Sequence, residues 1–487
     1  MPRHSNSTLQ EEKEQENGKQ DDWTKEVVPR LPSPIEEQAR KLKAFERSRA
    51  ISSATDLLRG LLAYVFIVRS FQQLGKWSVL TAVADVSAND WRKRLRKAND
   101  WLNWLLQEVL AKVEPLPLTC VRGGIKRILL VDGTHWKCLG PKGIVMRVHT
   151  AFDLLTGRLA QVKVTDNHES EHLEVFDLQD GNLVVTDRAN GLRKRMAFVL
   201  SKLAHIIVRI SPSKFPMEDE QGNTIVLIDW LKGLHVSAGM IRSREVWIRY
   251  AKKRIKLRLV VFRLTEEQQQ KAERRTKRKA SKSQQKVQPN TLYFSGWVLV
   301  VTTLPTEQWH DQQILRLYQA RWHIELLFKR MKQFLGLQTL RCTTLETAQP
   351  TVTALLIGWA LLEQESATMR RTLSNAMRSV QETEAGKPLG KLITAAAFWQ
   401  DDLDDSLSQA DLDDALSEWM LTEASFDLFC QQIRGSYTAE RFRACLPRLQ
   451  RFLRTGHRKR PYLYSQVSRW LKTPETLPKS EDQPLVA

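Results

Sequence analysis

Leu317-Tyr-Gln-Ala-Arg-Trp-His-Ile-Glu-Leu-Leu-Phe-Lys-Arg-Met-Lys332 is the stretch on which the reading of this chain turns. Apolar Leu317, Ala320, Ile324, Leu327 and Met331 recur at spacings of three and four, the stripe of a helix packed on one side. At about 100° per residue, Tyr318, Arg321, Glu325 and Lys332 gather within roughly 60° of one another beside that stripe. One carboxylate then sits among two cations and a phenol. Such a face is either solvated, with an Arg321–Glu325 pair worth a few tenths of a kcal/mol, or part of a site.

The spacing Y-x2-R-x3-E-x6-K, met at Tyr318, Arg321, Glu325 and Lys332, resembles the signature of a family of bacterial insertion-sequence transposases, the DDE cut-and-paste enzymes. The resemblance implies that Glu325 is the last of three metal-binding carboxylates. It also implies an α/β fold, a ribonuclease-H-like catalytic core with a β-rich insertion, flanked by helical N- and C-terminal domains. Two aspartates at strand ends are then required upstream.

Both are present. Lys126-Arg-Ile-Leu-Leu-Val-Asp132 is a short apolar run ending in an acid, as a buried central strand reads. Strands at 144–154 and 159–165 follow, then a helix-like stretch near 170–178, then Asn182-Leu-Val-Val-Thr-Asp187, a helix at 192–203 and a strand at 205–210. The order βββαβαβ resembles the core of DDE recombinases, with Asp132 and Asp187 at the strand-end positions. A lone Asp after a strand is most often a turn or cap residue; two here, followed by the Glu325 helix, form a constellation.

The chemistry suits these residue types. Phosphodiester cleavage and joining place negative charge on the attacking and leaving oxygens, which two Mg²⁺ (or Mn²⁺) ions about 3.5–4 Å apart can clamp. Mg²⁺ takes oxygen ligands, so carboxylates plus substrate phosphates serve it. The resemblance assigns Tyr318, Arg321 and Lys332 to terminal phosphates of the transposon end. It implies cleavage at the ends, a hairpin intermediate and attack of the freed 3′-hydroxyls on target DNA.

Composition agrees with a polyanionic partner. The 487 residues carry a net charge of +20 and a pI near 9.8, pointing to double-stranded DNA, here terminal inverted repeats and target. Five widely spaced cysteines without a C-x-x-C pair suggest a reducing cytosol and no cysteine zinc site. No signal peptide is visible, and the longest apolar run, 352–362, is too short for a bilayer, which takes about 20 residues. A membrane partner is not expected.

Residues 1–34 read as a disordered tail and 35–115 as a helical DNA-binding domain. Within it a helix at 78–84, a turn and a basic helix from Asn89 to Leu110 resemble a helix-turn-helix, with Arg92, Arg94 and Arg96 facing DNA and Ser87 as N-cap. The other reading is a helical bundle with a solvated basic face. The catalytic domain spans 120–345, interrupted at about 212–303. Glu325 lies 138 positions beyond Asp187, so something folded must intervene. Strand-like runs at 223–228, 245–250, 257–263 and 292–303 supply it.

Between them the cation-rich run Lys271–Lys282 reads as a flexible loop beside DNA. Trp297 corresponds in place to a tryptophan that stacks on a flipped base in the resembled family; core packing is the alternative. Residues 346–487 read as a helical domain, implying a homodimer in the synaptic complex by resemblance. Acidic clusters at 401–414 are taken as solvated surface.

Two other function classes compete. His168-Glu-Ser-Glu-His172 matches H-E-x-x-H, which on a helix binds zinc with its two His and uses the Glu as base; the acidic run reads instead as a solvated helix start. A catalytically inactive DNA-binding derivative of a transposase is the nearer alternative, and loss of one acid would mark it.

Overall fold

The computed structural model describes residues 21–48, 50–112, 124–138, 143–336, 340, 342, 344–383, 409–435, 443–445 and 448, with only the backbone at 367–383 and 409–421. The chain forms two compact units, Met1–Leu105 with Leu428–Ala487, and Leu106–Asp427.

The larger unit is mixed α/β, built on one eight-stranded sheet. Its strands are β1 (Arg127–Lys137), β2 (Val145–Asp153), β3 (Arg158–Asp166), β4 (Asn182–Thr186), β5 (His205–Arg209), β6 (Ile241–Tyr250), β7 (Lys253–Arg263) and β8 (Trp297–Thr302), in the order β3-β2-β1-β4-β5-β8-β7-β6. β1, β4 and β5 are parallel and the remaining pairings antiparallel. Every residue of β4 and of β8 is buried. That is why these strands are continuously apolar rather than alternating.

In the smaller unit, α1 (Ile35–Lys41), α2 (Ala54–Ala63), α3 (Phe71–Leu80) and α4 (Ala88–Lys97) lead to α5 (Asn99–Ala111). In the larger unit lie α6 (Arg193–Ser201), α7 (Leu227–Gly233), α8 (Glu266–Lys282), α9 (Pro289–Ser295), α10 (Asp311–Gln319), α11 (Trp322–Phe334) and α12 (Leu345–Thr383); α13 is Gln409–Arg434. Leu129, Val131, Val184, Ile206 and Val208 share one core with Met196 and Val199 of α6. α11 packs on β1, α10 on β4, β5, β7 and β8, and α12 on β3.

Several expectations change. The tail ends earlier than residue 34: Trp23, Val27 and Leu31 are buried, and residues 1–20 lie outside the described residues. The helix expected from 89 to 110 is two helices with a turn at Ala98, because the buried Trp91 and Leu95 belong to one packing face and Trp101, Leu102 and Leu105 to the next. Ser87 does cap α4, accepting from Asp90 N at 3.2 Å. The ring of Trp91 fills the space over Gly60, where a Cβ would come within 2.1 Å of it.

The insertion is part helical, and its strands β6 and β7 extend the same sheet through β8. The run at 223–228 enters α7, and Pro289 starts α9 where a strand was expected. The cation-rich run is the helix α8. A reciprocal Thr265–Gln268 capping box starts it, with Glu266 and Glu267 in its first turn and Lys279 and Lys282 in its last. These favourable ends outweigh cation repulsion along the helix. The cluster at 401–405 and the basic residues beyond 449 lie outside the described residues, whereas Asp411–Asp414 fall within α13.

Candidate active site

Strand register places the two aspartates together. β1 and β4 run parallel with Val131 opposite Thr186, so the next residues on the two strands are Asp132 and Asp187. Asp132 is not at a strand end, as its sequence context suggested: β1 continues to Lys137, paired with β2 beyond the point where β4 stops. The apolar run ends at Asp132 because the parallel neighbour ends there. Asp187 caps a short helical turn at Arg188–Asn190, its Oδ1 accepting from Ala189 N at 2.9 Å.

The third acid reaches the same place from α11. Arg321 Nη2 donates to Glu325 Oε1 at 2.7 Å, and Arg321 Nη1 lies 3.6 Å from Asp132 Oδ2. One guanidinium therefore links the strand aspartate to the helix glutamate. The expected single helix over 317–332 is jointed: Arg321 N, His323 N and Ile324 N bond the carbonyls three residues back, at Tyr318, Ala320 and Arg321. These tighter turns separate α10 from α11 and shift the phase between them. Tyr318 is buried at 4 % exposure rather than on an open face, and its phenol remains near enough to Arg321 to act on the guanidinium electrostatically. Lys332 is half-buried, and its charge bears on His135 of β1.

Asp132 has its pKa pushed up to about 7, first by burial, with the charges of Asp187 and Glu171 acting the same way. The N–H of Gly133, which donates to Asp132 Oδ1 at 2.8 Å, and Arg321 oppose the rise. The folded protein thus holds this proton more tightly than the unfolded chain. Stability from that proton is present at low pH and lost as pH rises towards about 7. Asp132→Asn is expected to stabilise the metal-free protein by up to a few kcal/mol above pH 7 and by nothing near pH 4. Thermal melts in EDTA across that range check it; equal melting temperatures at pH 8 would contradict it.

The donor set suits a hard divalent cation. Asp132, Asp187 and Glu325 offer only oxygens, and the raised Asp132 pKa marks negative charge that a cation would relieve. As the side chains stand, no three His, Cys, Asp or Glu residues among those described are grouped closely enough to hold one metal ion, and Arg321 lies between Asp132 and Glu325.

A fourth acid, Glu171, was not singled out by the sequence beyond its place in the acidic run. Its carboxylate lies over Gly133, next to Asp132. The H-E-x-x-H segment containing it is not a helix start. Residues 167–172 are bent and extended, followed by a single helical turn at Leu173–Val175, so the i,i+4 geometry of a helical zinc motif is not formed. His172 lies between Glu169 and Glu174, at 3.3 and 3.4 Å. Arg195, from α6, donates to the Ala189 carbonyl at 3.0 Å, to Asn190 Oδ1 and to the Glu171 carbonyl. It ties the loop carrying Asp187 to the segment carrying Glu171, and no motif announced it.

Trp297 begins β8 at 3 % exposure within the main core. The Arg263 guanidinium covers its ring at 5.0 Å. The ring therefore takes the core-packing alternative rather than a face open to a base, because the apolar cluster and the Arg263 guanidinium cover it. On α4, Arg92 and Arg96 are exposed and Arg94 half-buried, with the Arg92 guanidinium 5.3 Å from the Phe71 ring centroid. No helix among the described residues is long and apolar enough to cross a membrane.

Residues 123–361 match the family model described as a transposase DDE domain. The chain is 30 % identical over 338 residues to the InsL proteins of insertion sequence elements IS186A and IS186B of Escherichia coli strain K12, covering 68 % of this chain and 90 % of theirs. It is 30 % identical over 339 residues to the transposase for insertion sequence element IS421 of Escherichia coli, with the same coverage. The matched region contains the register of Asp132 against Asp187 and the Glu325 helix, and on that ground the chain belongs to the DDE-domain transposases of insertion sequences.

Proposed function

We propose that this chain binds the terminal inverted repeats of an insertion sequence, cleaves the ends by metal-dependent hydrolysis and joins the 3′-hydroxyls to target DNA, passing through a hairpin intermediate. Asp132, Asp187 and Glu325 are its catalytic acids. The observation that carries this is their convergence: two aspartates adjacent in register, and a glutamate joined to one of them through Arg321. The order β3-β2-β1-β4-β5 with β1, β4 and β5 parallel supports a ribonuclease-H-like core.

Asp132 and Asp187, joined by Glu325, would hold Mg²⁺ or Mn²⁺, whose chemistry when bound is to activate water and offset charge on the phosphate oxygens. The chain's own residues position the DNA. Arg321, whose guanidinium lies against Asp132 and Glu325, is the cation nearest the acids and would bind a phosphate of the transposon end. Lys332 adds a second cation one side of the same helix, and Tyr318 packs behind the joint that aims Arg321. Arg92, Arg94 and Arg96 of α4 supply phosphate contacts that set register on the duplex. Two copies acting as a homodimer would hold the paired ends.

Incubation with the element's own flanking inverted repeats and Mg²⁺, with mapping of cut ends, tests the reading. Nicks at the element boundary and hairpin-sized products are expected. Tight end binding with no cleavage would point instead to a DNA-binding derivative without catalysis.

A further inference from the structure

Glu171 is set apart from its acidic neighbours. Glu169 pairs with Lys163 and His172, and Glu174 with Lys194 and His172. Glu171 makes no such ion pair among the described residues. Its carboxylate instead lies on the backbone of Gly133, where a Cβ would fall 2.1 Å from Oε1. A side chain at 133 would push this carboxylate from its place. The two arginines nearest in charge, Arg147 and Arg195, give N–H groups to main-chain carbonyls of the same segment, Glu169 O at 2.8 Å and Glu171 O. They fix the backbone and leave the side chain directed at the two aspartates, whose charges it feels.

Holding a third carboxylate beside Asp132 and Asp187 costs repulsion and desolvation. A cation shared by all three would repay it. Mg²⁺ retains several waters and uses only one or two direct carboxylates, so an acid reaching its hydration shell adds to binding without being a direct ligand. We propose that Glu171 is a further acidic residue of this active centre, serving with Asp132 and Asp187 to hold the divalent cation. The inference rests on the metal-dependent reading above.

The test uses the full chain and Mn²⁺ alone, with free Mn²⁺ followed by electron paramagnetic resonance, beside nicking of an inverted-repeat duplex. Glu171→Gln is expected to weaken Mn²⁺ binding about tenfold and to raise the Mn²⁺ needed for half-maximal nicking by a similar factor. High Mn²⁺ should recover the rate, end binding in EDTA should stay at the wild-type value, and the melting temperature in EDTA should be no lower than wild type, because the charge removed repels Asp132 and Asp187. Glu171→Asp, which keeps the charge on a shorter arm, should fall between. Wild-type Mn²⁺ affinity in Glu171→Gln overturns the proposal; if that variant does not fold, wild-type affinity in Glu171→Asp does so. Equal Mn²⁺ binding by wild type and Asp132→Asn would instead defeat the reading of the site itself.

Discussion

Asp132→Asn, Asp187→Asn and Glu325→Gln are each expected to lower end cleavage by more than about a thousandfold while leaving end binding within a few-fold of wild type. The first figure follows from what a clamped cation contributes: several kcal/mol of charge stabilisation in the transition state, at 1.36 kcal/mol per factor of ten. The second follows from where affinity comes from. Phosphate contacts by the chain's many cations dominate DNA binding and do not need the acids. Glu325→Gln carries extra information because Glu325 is paired with Arg321 in the protein as folded. An amide still accepts that hydrogen bond, so the joint between α10 and α11 should survive and the loss is assigned to chemistry. Gel-shift and nicking assays on one duplex read both quantities. Cleavage by Glu325→Gln within tenfold of wild type would remove it from the catalytic set.

The second large effect concerns stability. Trp297→Ala opens a cavity between β8 and its neighbours and is expected to cost about 3–5 kcal/mol, lowering the melting temperature by roughly 10 °C. Nicking and hairpin formation should then fall together. Trp297→Phe should restore most of the loss, since the buried Nε1 has no hydrogen-bond partner among the described residues and little besides volume is given up. A melting temperature unchanged in Trp297→Ala, with hairpin formation alone impaired, would return this residue to the DNA.

The central strands around the site were legible because their apolar runs are buried on both faces. The parallel strands β1, β4 and β5 were placed from apolar runs, since a parallel strand covered on both sides cannot alternate. Errors concentrated where local chemistry serves two structures. The run at 223–228 is apolar and β-branched but becomes the approach to a helix, and Lys271–Lys282 looked like a solvated loop because no apolar stripe marked its helix. The Thr265–Gln268 box that starts it was present in the sequence all the same. The burial of Tyr318 was missed because a uniform 100° per residue carries no information about a joint; the tighter bonds at Arg321 change the phase by packing, not by propensity.

For the proposed active site, the sequence alone supplied the candidates Asp132, Asp187, Glu325, Arg321 and Lys332. Those residue types at that spacing carry the chemistry wherever the chain folds. The tertiary structure decided everything that depends on neighbours distant along the chain. Register between β1 and β4 sets the two aspartates side by side, and the packing of α11 on β1 brings Arg321 to both Asp132 and Glu325. It buried Trp297 and Tyr318, and it brought Glu171 over Gly133 from a segment whose own sequence resembled a different motif. Side-chain identity is local, whereas burial, register and charge proximity belong to the folded chain, and only the fold can assign them.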